Sequence, residues 1–144
     1  MITKFTILGE RCSGTNFLER AISKNFNLDV TWDYGWKHFF GIESYDNSDD
    51  TLFIGIVREP VAWMNSLYKN PHHLQDDLRK NTENFLNKQF WSYFDGSNHT
   101  NYGNEIMGDR NIYTGKRYKN IFEMRKTKLN FLINDMLNKV KHYI

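Results

Sequence analysis

The chain holds a single cysteine, Cys12, among 144 residues. A disulfide framework and a cysteine-based zinc site are thereby excluded. Proline is scarce, with only Pro60 and Pro71. No apolar run approaches the roughly 18 residues that a membrane span needs, so no membrane association is expected. The opening MITKFTILGERCSGT halts its apolar run at Gly9-Glu10 and has no small-residue cleavage site after a longer one. No signal peptide is read there, and a cytoplasmic, reducing location is expected. Excess charge of one sign is lacking too. Lys and Arg number 19 against 17 Asp and Glu, leaving a formal +2. That is too little to argue for nucleic acid, which demands a concentrated basic surface.

What is present is the balance of a folded chain: 40% hydrophobic and 25% charged residues, neither disordered nor fibrous. The length predicts one domain over residues 1–144 with its own core. Aromatic residues reach 16%, more than such a core requires. They either line a flat ligand site or pack. There is no internal repeat and no low-complexity segment.

Thr3 to Leu8 alternates, is β-branched and is stopped by Gly9, which predicts a short buried strand. Phe17 to Phe26 carries Phe17, Leu18, Ala21, Ile22 and Phe26 at helix spacing. Leu28 to Trp32 reads as a second strand. Thr51 to Val57, TLFIGIV, is apolar at nearly every position, as a parallel strand covered on both faces would be. Pro60 fits a first helical turn, with Val61, Met64, Leu67 and Tyr68 following at helix spacing until Asn70-Pro71 ends the helix. Leu74 to Phe94 reads as a helix, Asp95 to Gly115 as a long loop, and Arg117 to Tyr143 as a long amphipathic helix. Alternating strand and helix units predict an α/β layer fold, a three-layer sandwich around a small parallel sheet.

Two places invite an anion. The first is the loop Gly9 to Asn16 between the first strand and helix. A helix N-terminus there offers unpaired N–H groups, Ser13 and Thr15 add hydroxyls, Gly14 permits close backbone approach and Arg11 brings charge. A plain helix cap by Ser13 or Thr15 accounts for the same residues. The stretch lacks the G-x-x-x-x-G-K-S/T pattern of an ATP-hydrolysing P-loop. The second place is Arg58, just past the end of the apolar strand, where open α/β sheets bind ligands. Ser66 lies eight residues further on. A structural Arg and a surface Ser explain that pair equally simply.

Taken together, these residues resemble the sulfotransferases that use 3′-phosphoadenosine-5′-phosphosulfate (PAPS). In that family a loop K/R-S-G-T-T after the first strand holds the 5′-phosphosulfate; the matching stretch is Cys12, Ser13, Gly14, Thr15, Asn16. A later R-x-P with a Ser eight residues after the Arg holds the 3′-phosphate; Arg58-Glu59-Pro60 and Ser66 match it. Lys37-His38 lies ahead of that strand, where many members carry a catalytic His closely preceded by Lys. The chain is most similar to a bacterial and viral branch with E-R-x-S-G-T-N, W-K-H, R-x-P-x-x-W-x-x-S, P-H-H and Y-x-N-I-x-x-x-R. All five occur in order, from Glu10 to Arg125.

The resemblance implies a P-loop NTPase-like sulfotransferase fold and sulfuryl transfer from PAPS to a hydroxyl or amine, leaving adenosine 3′,5′-bisphosphate (PAP). The acceptor would be a small molecule or a carbohydrate. His38 would be the base, and Lys37 and Arg11 the cations on the leaving phosphate. The residues at 11–17 would bind the cofactor, with Phe17 either near the adenine or in the core, and Arg58 and Ser66 would hold the 3′-phosphate. No metal is expected. Cys12 stands where the family has Lys or Arg, so that charge must come from Arg11 or Lys37. Relatives grip the 3′-phosphate with a late basic segment, for which Lys116, Arg117 and Lys119 are candidates; a solvated helix start is the simpler account. A homodimer would hide an open sheet edge. Two other readings are a non-catalytic PAP- or anion-binding relative and a kinase-like phosphotransferase. The missing lysine and the absence of an obvious magnesium-binding acid argue against the latter.

Overall fold

The computed structural model describes residues 1–95 and 102–144. In chain order its elements are β1 (Lys4–Gly9), α1 (Thr15–Asn25), β2 (Asp29–Val30), β3 (Thr51–Ile56), α2 (Pro60–Lys69), α3 (Asp76–Arg79), α4 (Thr82–Asn87), β4 (Tyr93–Asp95), β5 (Tyr102–Glu105) and α5 (Ile121–Asn130). The fold is mixed α/β with a small parallel three-stranded sheet. The chain groups into two compact units, Met1–Glu59 with Lys128–Ile144, and Pro60–Thr127. Among the described residues no helix is long and apolar enough to cross a membrane.

In the first unit the strand order is β2-β1-β3, all parallel, with Lys4 opposite Thr51 and Gly9 opposite Ile56. That register puts Phe5, Ile7, Leu52 and Ile54 on one face. They pack there against Leu18 and Ile22 of α1. Phe53 points to the other face, 5.0 Å from Tyr34 and 5.7 Å from Tyr45 between ring centroids. Phe131 extends this second layer, stacked at 5.8 Å on Phe40. The aromatic excess is thus largely packing: it supplies the second cover that an apolar strand such as β3 requires.

The second unit is built around fully buried Trp63, Leu67, Leu78, Phe90 and Tyr118. β4 and β5 pair antiparallel, Tyr93 opposite Glu105. The guanidinium of Arg125 lies 4.3 Å from the Trp63 ring centre. Two motifs distant in sequence, R-x-P-x-x-W and Y-x-N-I-x-x-x-R, therefore meet as one cation–π contact. Asn120 accepts the Glu123 amide and starts α5.

Three sequence expectations change. The helix expected over Leu74 to Phe94 is two short helices and a strand. Asn81 accepts the Asn84 amide and caps a new helix, while Phe90 and Ser92 form extended bridges to Tyr118 and Leu74. The loop expected over Asp95 to Gly115 contains β5 and a 3-10 turn at Met107–Asp109; its residues 96–101 lie outside the described residues. The long helix expected over Arg117 to Tyr143 is α5 alone, followed by a π turn at Phe131–Asp135 and a 3-10 turn at Met136–Asn138. The π turn adds a residue to the helical repeat. Phe131 and Leu132 stay buried and Ile133 is exposed.

The chain then ends extended along β3. Phe53 N–H donates to the His142 carbonyl and Gly55 N–H to the Ile144 carbonyl, both at 2.9 Å. A Cβ at Gly55 would stand 2.1 Å from the Tyr143 hydroxyl oxygen and 2.9 Å from its ring carbon. Gly55→Ala is therefore expected to cost about 1–3 kcal/mol through overpacking. Urea unfolding should find that loss, and adding Tyr143→Ala should recover part of it. A Gly55→Ala protein as stable as the parent would refute the close approach.

Candidate functional site

Gly9 to Gly14 carry the chain from the end of β1 into α1. Cys12 has φ 63° and Gly14 φ 99°, two left-handed residues that fold the loop back on itself. Ser13 closes the turn with its amide and its hydroxyl both donating to the Glu10 carbonyl, at 3.1 and 2.5 Å. The first intrahelical bond is Leu18 N–H to the Gly14 carbonyl. The amides of Thr15, Asn16 and Phe17 in the first turn thus have no acceptor within the helix. Thr15 is buried, whereas Asn16 and Phe17 are exposed, Phe17 to 78%. The core role considered for Phe17 is thereby excluded.

Residues 37 and 38 are held against this loop by the backbone of Gly9. Its N–H donates to the Lys37 carbonyl, and its carbonyl lies 2.9 Å from His38 Nδ1. A Cβ at Gly9 would fall 2.6 Å from Ile56 Cγ2, so glycine is what this junction accommodates. Lys37 Nζ donates to Asn16 Oδ1 at 2.5 Å and to Glu19 Oε2 at 3.1 Å. It also lies 5.3 and 5.0 Å from the ring centres of Trp32 and Trp36. The guanidinium of Arg11 lies 5.8 Å from the Phe39 ring centre. Of the two candidates for the charge that Cys12 lacks, Lys37 bonds to Asn16 in the first turn of α1.

His38 has a defined tautomer. A carbonyl can only accept, so Nδ1 carries the proton and Nε2 keeps its lone pair. Burial pushes its pKa down to about 3, helped by the charges of Arg11, Lys128 and Lys37 and opposed by the Gly9 bond. The ring is thus neutral through the physiological range, a weaker base than the ordinary imidazole value of 6.5 suggested.

Arg58 follows β3 as the loop follows β1, and β1 and β3 are parallel and in register, so both emerge at one rim. Arg58 Nη1 donates to the Cys12 carbonyl at 3.0 Å. Ser66 lies in α2 of the second unit, half-buried, its carbonyl accepting from the Asn70 amide. The structure also adds a group that the sequence reading missed. Lys128, 2% exposed, donates to the His38 carbonyl at 2.7 Å. It sits one turn after Met124 on the buried stripe of α5, and a lysine on an apolar stripe was the available signal. Arg11 and Lys37 are only 5% and 7% exposed. Buried cations gathered around a helix N-terminus suit a polyanion. Among the described residues no three His, Cys, Asp or Glu side chains group as metal ligands would.

In comparisons with known proteins, no family model, curated protein or solved structure matches the chain.

Proposed function

We propose that the chain is a PAPS-dependent sulfotransferase, with a three-layer, P-loop-like sulfotransferase fold. The observation that carries this reading is the bond from Arg58 to the Cys12 carbonyl. It brings two anion-suited elements, the loop at 11–16 and the residue after β3, to one rim of the sheet. Both ends of a doubly phosphorylated adenosine need such a pair. The chemical fit of the donor set supports it further: helix amides, Lys37, Arg11 and Arg58 are all donors or cations.

PAPS supplies the sulfuryl group to be transferred. The backbone amides of residues 14–17 and the hydroxyl of Thr15 bind its phosphosulfate end, and Arg58 binds the 3′-phosphate. The expectation that Ser66 shares that phosphate rests on the motif spacing alone. Lys37 neutralises charge growing on the leaving oxygen, work that falls mainly to positioning and electrostatics in such transfers. Arg11 and Lys128 add to the positive field around His38. His38 Nε2 accepts the proton of a hydroxyl or amine acceptor. An anionic cofactor beside Arg11, Lys37 and Lys128 offsets the charges that depress the imidazole, raising its proton affinity when it is needed.

Thermal unfolding with PAP, ATP and sulfate tests the reading. PAP at a hundred times its Kd stabilises by about 2.7 kcal/mol, a shift of several degrees. ATP and sulfate should give much less, and Arg58→Ala should remove the PAP shift. Equal shifts with PAP and ATP, or an intact PAP shift in Arg58→Ala, would overturn it. The low proton affinity of His38 favours a second reading, a PAP-binding protein without turnover. Labelled PAPS with an acceptor panel separates the two: turnover that His38→Ala abolishes belongs to the enzyme.

A further inference from the structure

We propose that the second unit carries a binding groove for an acidic oligosaccharide, one bearing carboxylate or sulfate groups on a hydroxyl-rich chain. This goes beyond the sulfotransferase reading and does not depend on it. Two cavities lie side by side in this unit. One, of about 680 Å³, is lined by Arg110, Lys116, Arg117 and Lys119. The other, of about 410 Å³, is lined by Gln75, Asp76, Asp77, Lys88 and Trp91. Gln89 lines both. Arg117 of the first lies 4.2 Å from the ring centre of Trp91 in the second. The two cavities are therefore halves of one groove with different chemistry.

The cationic half is rigidly built. Glu105 accepts from Arg110 Nε and Nη2 at 3.0 and 3.1 Å, and from Arg117 Nη2 at 2.7 Å. The bonds from Arg117 and then Arg110 hold its carboxyl down to about 2. One carboxylate thus fixes two guanidiniums and leaves the pair with a net positive charge. Lys116 and Lys119 are exposed. Among the described residues neither ammonium makes an ion pair or hydrogen bond. Glu123, the acid on this wall, accepts from the Lys119 amide and from Asn111. The half is net positive, with its lysines ready to donate to an anion.

The other half balances its charges. Asp76 pairs with Arg79, and Asp77 accepts from Lys80 and Lys88, yet carboxylates retain further acceptor sites. Gln75 Nε2 donates to the Gln89 carbonyl at 2.7 Å, and among the described residues its buried Oε1 has no hydrogen-bond donor. Acceptors beside an indole suit hydroxyl donors and the apolar face of a sugar ring. A nucleic acid or polyphosphate carries charge at every unit, and this half, where Arg79, Lys80 and Lys88 already pair with Asp76 and Asp77, gives it no spare cation. An acidic saccharide carries charge on some units and hydroxyls on all, which matches both halves.

Titration calorimetry on the full chain tests this with five octamer-scale probes: a heparin fragment, hyaluronan, maltooctaose, polyglutamate and poly(U). The heparin and hyaluronan fragments separate sulfate from carboxylate recognition. At least one should bind ten-fold or more tightly than maltooctaose, polyglutamate and poly(U), and more weakly as salt rises. Lys116→Gln with Lys119→Gln, both exposed, should weaken it ten-fold or more without altering thermal unfolding. Trp91→Phe should weaken the saccharide more than polyglutamate. The proposal fails if poly(U) or polyglutamate binds as tightly as the acidic saccharides, or if neither saccharide binds. It also fails if the lysine pair can be exchanged without effect, or if PAP displaces the saccharide, which would assign these lysines to the nucleotide.

Discussion

Under the proposed sulfotransferase function, exchange of Lys37 for methionine is expected to lower kcat/KM by about 10²- to 10³-fold, the usual loss when one preorganised donor to a developing charge is removed. Methionine keeps an unbranched side chain beside Trp32 and Trp36 and removes the ammonium. Its partners tolerate the change. Asn16 is exposed and the Glu19 side chain is 29% exposed, so both regain water. PAP binding, carried also by Arg58 and the helix amides, should weaken less than turnover does. That split separates charge neutralisation in the transition state from simple affinity. A Lys37→Met enzyme within threefold of the parent would remove this residue from the mechanism and return the role to Arg11.

Acid sensitivity traced to His38 is the second large effect. The unfolded imidazole takes up a proton near pH 6.5, whereas the folded ring resists it until about pH 3. Between those values the unfolded state binds more protons, so stability falls as pH falls, by about 1.4 kcal/mol per unit. From pH 6.5 to 5 that amounts to about 2 kcal/mol, set against stabilities of about 5–15 kcal/mol. About one pH unit above 6.5 the contribution is complete and flat. Urea unfolding at several pH values should resolve the slope. His38→Asn, which does not titrate, should flatten it in that window. A parent protein whose stability is level from pH 6.5 to 5 would show that the ring is not buried as described. PAP binding should move the imidazole's NMR titration upward, since the bound phosphates offset Arg11, Lys37 and Lys128.

The two strand–loop–helix units were legible because their signals are local. Thr3 to Leu8 and Thr51 to Val57 became β1 and β3 within a residue or two. Gly9 ended the first strand for a reason the sequence only hinted at, the approach of Ile56. The region from Leu74 to Tyr143 was misread where apolar spacing was satisfied by several short pieces. Phe90 and Leu132 fit a helical stripe, yet one is in an extended bridge and the other in a π turn. Periodicity over such a window cannot separate one long helix from short helices joined by capped breaks.

Composition and pattern alone determined that this chain lacks cysteine-based staples and long apolar helices, and that it opens with a loop suited to anions. Those properties depend on residues adjacent in the chain, whose chemistry acts without any partner. Only the tertiary structure decided that Lys37 bonds to the first turn of α1, that Arg58 reaches the Cys12 carbonyl, and that Lys128 holds the His38 carbonyl. Each of these joins segments separated by 21, 46 or 90 residues. Strand register and the two hydrogen bonds of Gly9 select such contacts, and neither is written in any single stretch of sequence.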